Sequence, residues 1–350
     1  MVGNLPDIKP KTAFLLSDIY MRKYFTGLDN DEGYVVLTEN EITYLTDARY
    51  YSALKEKAAG GKVNVLLYKG TVSLKRLLKS RNVTKLYVDF GVTTLSEYNA
   101  LKKLNVGIYD GGAKLSDCRA VKNAEELENI QKAATIALNA LDNALKNIKT
   151  GVTELFIKKR LEEEMVRLGA QEKSFDTIVA FGKNSAVPHH VSDDTPLKEN
   201  SVVLIDFGCK VNGYCSDITR TLFYGEPDKE FLSVFNTVAN AQKLAKDKIV
   251  AGMGAKDADG IARNYFAERG VDKLFTHSLG HGLGLQIHEQ PYLSPRGKSV
   301  LKDGVAFTIE PGLYIDGKYG VRLEDTCVLA DGKVRSLTGD ACVLKTLSVK

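Results

Sequence analysis

Residues 201–220 leave this chain the least freedom. The run Ser201-Val202-Val203-Leu204-Ile205-Asp206-Phe207-Gly208 leads toward Asn212-Gly213, and Tyr214-Cys215-Ser216-Asp217-Ile218-Thr219-Arg220 leads away from it. Asn-Gly suits a type I′ turn, whose two central residues both take positive φ. β-Branched and aromatic residues on either side favour strands. A two-residue loop pairs Val211 with Tyr214 and, further out, Gly208 with Asp217. Residues two apart on a strand share a face, so Asp206 and Asp217 become diagonal neighbours on one face. Such a pair either lies in solvent or needs a cation, because a carboxylate buried alone is costly.

The later sequence bears on that choice. All five histidines lie between 189 and 288, and His277, His281 and His288 share one glycine-punctuated segment. Gly280, Gly282 and Gly284 are expected to let the backbone bend tightly and approach a ligand. Glu310 and Glu324 flank a turn at Asp316-Gly317. A three-residue loop, 316–318, sets Glu310 directly opposite Glu324, whereas a two-residue loop puts them on opposite faces. Four carboxylates and one imidazole suit two divalent cations with a bridging carboxylate, and their charges balance. Other chemistries are excluded: His288-Glu289 is not followed by the spacing of H-E-x-x-H, Gly182-Lys183 lacks the P-loop context, and G-x-S-x-G is absent.

The remainder supplies a frame. Residues 1–117 alternate short strands (Tyr34–Leu37, 42–45, Val63–Leu67, 86–88, 106–109) with helices, as in an α/β unit without histidine. Gly111-Gly112 reads as the exit from it. Asn123 with Glu126 predicts a capped helix running to Gly151, and Thr153 predicts a second ending at Gly169. Two amphipathic helices are expected near 228–250 and 256–269. A net charge of +4 is too mild to argue for nucleic acid. No signal peptide and no membrane-length apolar run are visible, and five scattered cysteines without C-x-x-C favour a reducing cytoplasm.

These segments resemble the "pita-bread" metallopeptidases: methionine aminopeptidases, proline aminopeptidases and prolidases. The family motif has two aspartates eleven apart, a G-H-G histidine, a glutamate before proline, and a last glutamate in V-R-x-E-D. Asp206, Asp217, His281, Glu310 and Glu324 match those metal-ligand positions. The outer histidines of the family fall on His189, after Pro188, and on His288. His277 and Arg322 resemble the proline-directed branch. So do Tyr24-Phe25-Thr26-Gly27 and Thr46-Asp47-Ala48-Arg49-Tyr50, which look like the creatinase/prolidase N-terminal domain. The implied fold is α+β, with a pita-bread domain of curved antiparallel sheets over residues 118–350, behind a smaller α/β domain over 1–117.

The resemblance implies a dinuclear exopeptidase that removes the residue before proline by a metal-bridging hydroxide. Xaa-Pro aminopeptidase is the leading expectation, Xaa-Pro dipeptidase (prolidase) the second and methionine aminopeptidase the third. A non-catalytic peptide-binding relative is the alternative of a different class. Two divalent ions are expected; oxygen-rich ligands favour Mn²⁺, and Co²⁺ or Zn²⁺ also fits. Glu310 is expected to take and return a proton, with His189 and His288 acting on the leaving side and the substrate carbonyl. His189, His277, His288 and Arg322 are the expected substrate contacts, and His190 is expected to be a bystander. Peptides are the expected partners, together with a second copy of the chain joined through the N-terminal domain.

Overall fold

A computed structural model describes residues 4–349. They divide into two compact units, one ending at Arg119 and the other beginning at Ala120. The first unit is built on a six-stranded sheet in the order Val63–Leu67, Ile42–Thr46, Tyr34–Leu37, Thr12–Leu16, Lys85–Val88, Gly107–Asp110. Thr12–Leu16, which the sequence patterns do not single out, is a central strand. It runs antiparallel to Tyr34–Leu37 and parallel to Lys85–Val88. Its Ala13-Phe14-Leu15-Leu16 is buried, so both faces are apolar and no alternation marks it. A helix, Gly112–Ala120, occupies the stretch where Gly111-Gly112 reads as an exit.

The second unit opens with the helix Ala124–Leu145, whose Asn123 and Glu126 form the reciprocal capping box. Glu154–Arg167 follows, capped by Thr153. Ala133, Ala137, Leu141 and Leu161 from these helices pack on Ile205, Phe207 and Ile218 of a four-stranded sheet. Its order is Thr346–Leu347, Ile218–Tyr224, Ser201–Phe207, Ile178–Phe181. A five-stranded sheet runs Glu289–Leu293, Gly280–Gly282, Ala306–Ile309, Asp325–Ala330, Lys333–Ser336, and a two-stranded ribbon pairs Gly312–Ile315 with Tyr319–Arg322. The helices Lys229–Lys248 and Ala255–Ala267 bury Phe231, Phe235 and Phe266 against this second set, in one core with Phe307, Ile309, Val321 and Leu323.

Threonines tie the two sets of strands together. The Thr326 hydroxyl donates to Asp217 O (2.7 Å), and the Thr221 hydroxyl donates to Arg322 O (2.8 Å). Helices therefore cover the outer faces, and the inner faces meet through polar side chains. Among the described residues no helix is long and apolar enough to cross a membrane.

Candidate active site

Two hairpin registers bring the carboxylates together. Val211 pairs with Tyr214, and Asp206 pairs with Thr219 in the same register. Ile315 pairs with Tyr319 and Gly312 with Arg322, so the second loop has the three-residue form. Ile309 pairs with Asp325 in continuation, which sets Glu310 opposite Glu324. His281 enters from the short strand Gly280–Gly282. The glycines beside it have ordinary negative φ, and their role differs from the one expected. A Cβ on Gly280 would strike the carbonyl of Thr308, and one on Gly282 the carbonyl of Gln290. They let neighbouring strands close on the histidine, rather than leaving backbone free for a ligand.

The result is one crowded acidic group. His281 Nε2 lies 3.3 Å from Glu310 Oε1 and 3.5 Å from Asp217 Oδ2. One donor atom each from Asp217, His281 and Glu324 fall within 4.8 Å of one another. Asp206 completes the group, and its Oδ1 is buried without a hydrogen-bond partner. Burial pushes the Asp217 and Glu324 carboxyls well above their usual range, and the neighbouring carboxylates push them further. Glu310 is raised to about 8, chiefly by burial and against the pull of Arg322. His281 is driven down to about 3 by burial, so its ring is neutral and able to coordinate. A buried oxygen without a donor, repelling carboxylates and a neutral imidazole fit a pair of hard or borderline divalent cations.

These residues line a cavity of about 440 Å³ that also exposes His189, His277, His288 and Arg322. The His288 ring meets the His281 ring edge-on at 4.3 Å, and burial, then the neighbouring His189, lowers the His288 pKa. Arg322 is already committed. Nη2 donates to Asp206 Oδ2 (2.6 Å), Nε to the Thr219 hydroxyl (3.1 Å), and Nη1 to Tyr314 (2.8 Å) and to Pro188 O (3.3 Å). Thr219 in turn donates to Glu324 Oε2 (2.6 Å). The guanidinium thus orders two of the expected ligands.

His277 closes the same network. Its Nδ1 is 2.8 Å from Ser278 O, a carbonyl, so Nδ1 carries the hydrogen. Its Nε2 then accepts from the Tyr314 hydroxyl at 2.9 Å. Burial and the Arg322 charge lower its pKa to about 3, in keeping with a neutral ring. Tyr314, Thr219 and Thr308 escape sequence reasoning. Thr308 accepts from the His281 amide and donates to Glu310 Oε1 (3.1 Å). A signal for Tyr314 exists in the register: it lies two residues from Gly312, the partner of Arg322, on the same face. His190, expected to be a bystander, has its Nε2 2.7 Å from the fully buried Glu154.

Comparison with known proteins bears on the family and the fold. Residues 128–331 match the model of metallopeptidase family M24, and residues 11–122 match that of the creatinase/prolidase N-terminal domain. A Pyrococcus furiosus protein named Xaa-Pro dipeptidase is 36% identical over 317 residues, 90% of each chain. The solved structure of an Xaa-Pro dipeptidase from Bacillus anthracis superposes with a TM-score of 0.89 at 33% identity, over 96% of this chain and 95% of that one. The X-Pro aminopeptidase structure from Thermotoga maritima gives 0.87 at 32% identity, with the same coverage.

Proposed function

The chain belongs to metallopeptidase family M24, and from that premise we propose that it hydrolyses the Xaa-Pro bond of short peptides, Xaa-Pro dipeptides among them. The observation carrying this reading is the cluster of Asp206, Asp217, His281, Glu310 and Glu324 at a cavity wall, with an Asp206 oxygen lacking a donor. These five residues would hold two divalent cations, with Mn²⁺ favoured by the oxygen-rich set and Co²⁺ or Zn²⁺ also fitting. When bound, such ions activate water near neutral pH and polarise the scissile carbonyl.

The chain's own groups then do the following. Thr308 orients Glu310 through Oε1, and the Glu310 carboxylate takes a proton and returns it to the leaving nitrogen. Arg322 holds Asp206 and, through Thr219, Glu324. His288 and His189 reach into the cavity from loops, where each can donate to a substrate oxygen. A bond before proline has no N–H, so the pocket needs no acceptor at the scissile nitrogen and reads the ring by shape.

Two substrate lengths have support. Relatives named Xaa-Pro dipeptidase support the dipeptidase reading, and one named X-Pro aminopeptidase supports the aminopeptidase reading. Five free cysteines accord with a reducing cytoplasm, and a dimer of two copies is part of the same proposal. The test offers Mn²⁺-loaded protein Xaa-Pro, Xaa-Pro-Xaa and Met-Ala-Ser peptides. Cleavage of the two proline series, dipeptides at least as fast, is expected. Preference for the methionyl peptide overturns the substrate class, and tripeptide-only cleavage moves the assignment to aminopeptidase.

A further inference from the structure

A second cluster of ionisable side chains, Glu154, His190 and Asp193, lies beside the cavity. Glu154 is the first residue of the helix Glu154–Arg167 and is fully buried. Its Oε1 accepts from the Phe181 amide (2.7 Å) and from Asn184 Nδ2 (2.9 Å). Its Oε2 accepts from the Asp193 amide (3.1 Å) and meets His190 Nε2 at 2.7 Å. A carboxylate offers about four lone-pair sites, and donors fill them all, so a cation has no place here. The cluster is a hydrogen-bond hub. With the carboxylate accepting, His190 Nε2 carries the hydrogen.

Every donor to the hub comes from residues 181–193, the loop that carries His189. Within that loop His189 is flanked by two anchors. On one side Pro188 O accepts from Arg322 Nη1, and Ser185 Oγ accepts from the Gly320 amide at 2.9 Å. On the other side His190 is tied to Glu154, its side chain only 12% exposed. Both histidines line the cavity, but they differ in freedom: the His190 ring is held on Glu154, while His189 is exposed.

We propose that His190, locked onto Glu154, is a positioning residue that holds the His189 ring in the cavity. Without it the backbone anchors at Pro188, at Val187 O (from the His190 amide) and at the Asp193 amide remain, but the side-chain tether next to His189 is gone and the His189 ring gains freedom. Misplacing a contributing group by about 1 Å can cost up to ~10²-fold in rate, so a partly tethered loop should cost about tenfold. The inference rests on the Xaa-Pro reading only for its activity measurement; the position of His189 can be followed without substrate.

The experiment uses the full chain as H189A, H190A, H190Q and the H189A/H190A double variant. The His189 ring resonances are identified by their loss in H189A. They are expected to shift or broaden in H190A and to stay near the wild-type positions in H190Q, whose amide can still donate to Glu154. Amide exchange at Phe181 and Asp193 should quicken in H190A and much less in H190Q. With metal-loaded protein and an Xaa-Pro peptide, H190A should lower kcat about tenfold with KM changed less, and H190Q should recover most of it. In the double variant the second substitution should add almost nothing to the loss from H189A, because both act through one ring. Unchanged His189 resonances in H190A overturn the proposal. So does an H190A loss that is equally large in the H189A background. Should H190A fail to fold, H190Q carries the test: resonances and kcat like wild type support the clamp, and a tenfold loss with an undisturbed His189 ring overturns it. A wild-type protein that cleaves no Xaa-Pro peptide defeats the substrate reading, and the ring resonances then judge the clamp alone.

Discussion

Glu324 and Asp325 are neighbours at the start of the strand Asp325–Ala330, Glu324 just before it, both nearly inaccessible to solvent and opposite in electrostatic state. Strand alternation turns them to different sides. Asp325 meets Arg220 Nη2 (2.9 Å), Lys246, the Thr338 hydroxyl (2.7 Å) and Gln242 Nε2 (3.3 Å). Burial alone would raise its pKa, but Arg220 and Lys246 outweigh that and hold it below the usual range. Glu324 faces Glu310 and Asp206 and is pushed well above it. The Arg322 guanidinium, which pulls the other way, pairs directly with Asp206. One side of the strand is electrically complete as folded. The other carries a deficit that divalent cations would remove.

Exchanging the two charges for amides should separate these sides most sharply. Glu324→Gln takes away an expected ligand. Changing residues around a metal site costs ~10–100-fold, so losing a ligand should cost at least ~10²-fold in kcat/KM and weaken Mn²⁺ binding by titration. In metal-free protein it should leave stability unchanged or raised, because one repelling charge is gone. Asp325→Asn should do the reverse. It strands two cations away from water, and breaking such buried pairs costs about 3–5 kcal/mol in chemical denaturation. A metal-free Glu324→Gln protein as destabilised as Asp325→Asn would erase the contrast.

The contrast should also be visible in pH dependence. In metal-free protein Glu310 is raised from an ordinary 4.5 to about 8, and Asp217 and Glu324 are raised as well. Between those values the folded state holds more protons than the unfolded chain, so stability falls as pH rises. Asp325 contributes in the other direction, losing stability only as pH falls below its ordinary 3.8. His277, His281 and His288, all held below their ordinary 6.5, act in the opposite sense at lower pH, so the melting temperature of chelator-treated protein should drop mainly between about pH 7 and 8, and Mn²⁺ should restore it at the upper end. A metal-free melting temperature that climbs over this interval contradicts the deficit.

Much of this was legible from residue order. Asn212-Gly213 set one register and made Asp206 and Asp217 share a face. The second register depended on loop length, which Asp316-Gly317 alone leaves open, and Lys318 proves to be the third loop residue. Polar side chains that work through others left less trace. Glu154 reads as an ordinary first-turn acid of a helix, and nothing local indicates that it gathers residues 181–193. Thr219 and Thr308 look like strand formers. Thr12–Leu16 failed for another reason: a short run buried on both faces has no period to detect.

Tyr314 offers the finest test, because it touches the Arg322 guanidinium on the deficient side. Its hydroxyl accepts from Arg322 Nη1 and donates to His277 Nε2, which fixes the guanidinium edge that faces Asp206. Gly312 makes room for it, since a Cβ there would sit 2.8 Å from the hydroxyl. Tyr314→Phe removes the oxygen and keeps the ring against His277. Arg322 would retain Asp206, Thr219 and Pro188 O, so its charge stays in place and only its orientation loosens. A hydrogen bond to a charged group contributes ~1.5–3 kcal/mol, and with three of the four remaining the kinetic loss should be about tenfold or less. It should appear in kcat more than in KM, since Arg322 acts on Asp206 rather than on a substrate carboxylate. A KM increase with kcat unchanged would instead assign Arg322 to substrate, and the deficient side would then lose the Arg322 counter-charge during binding.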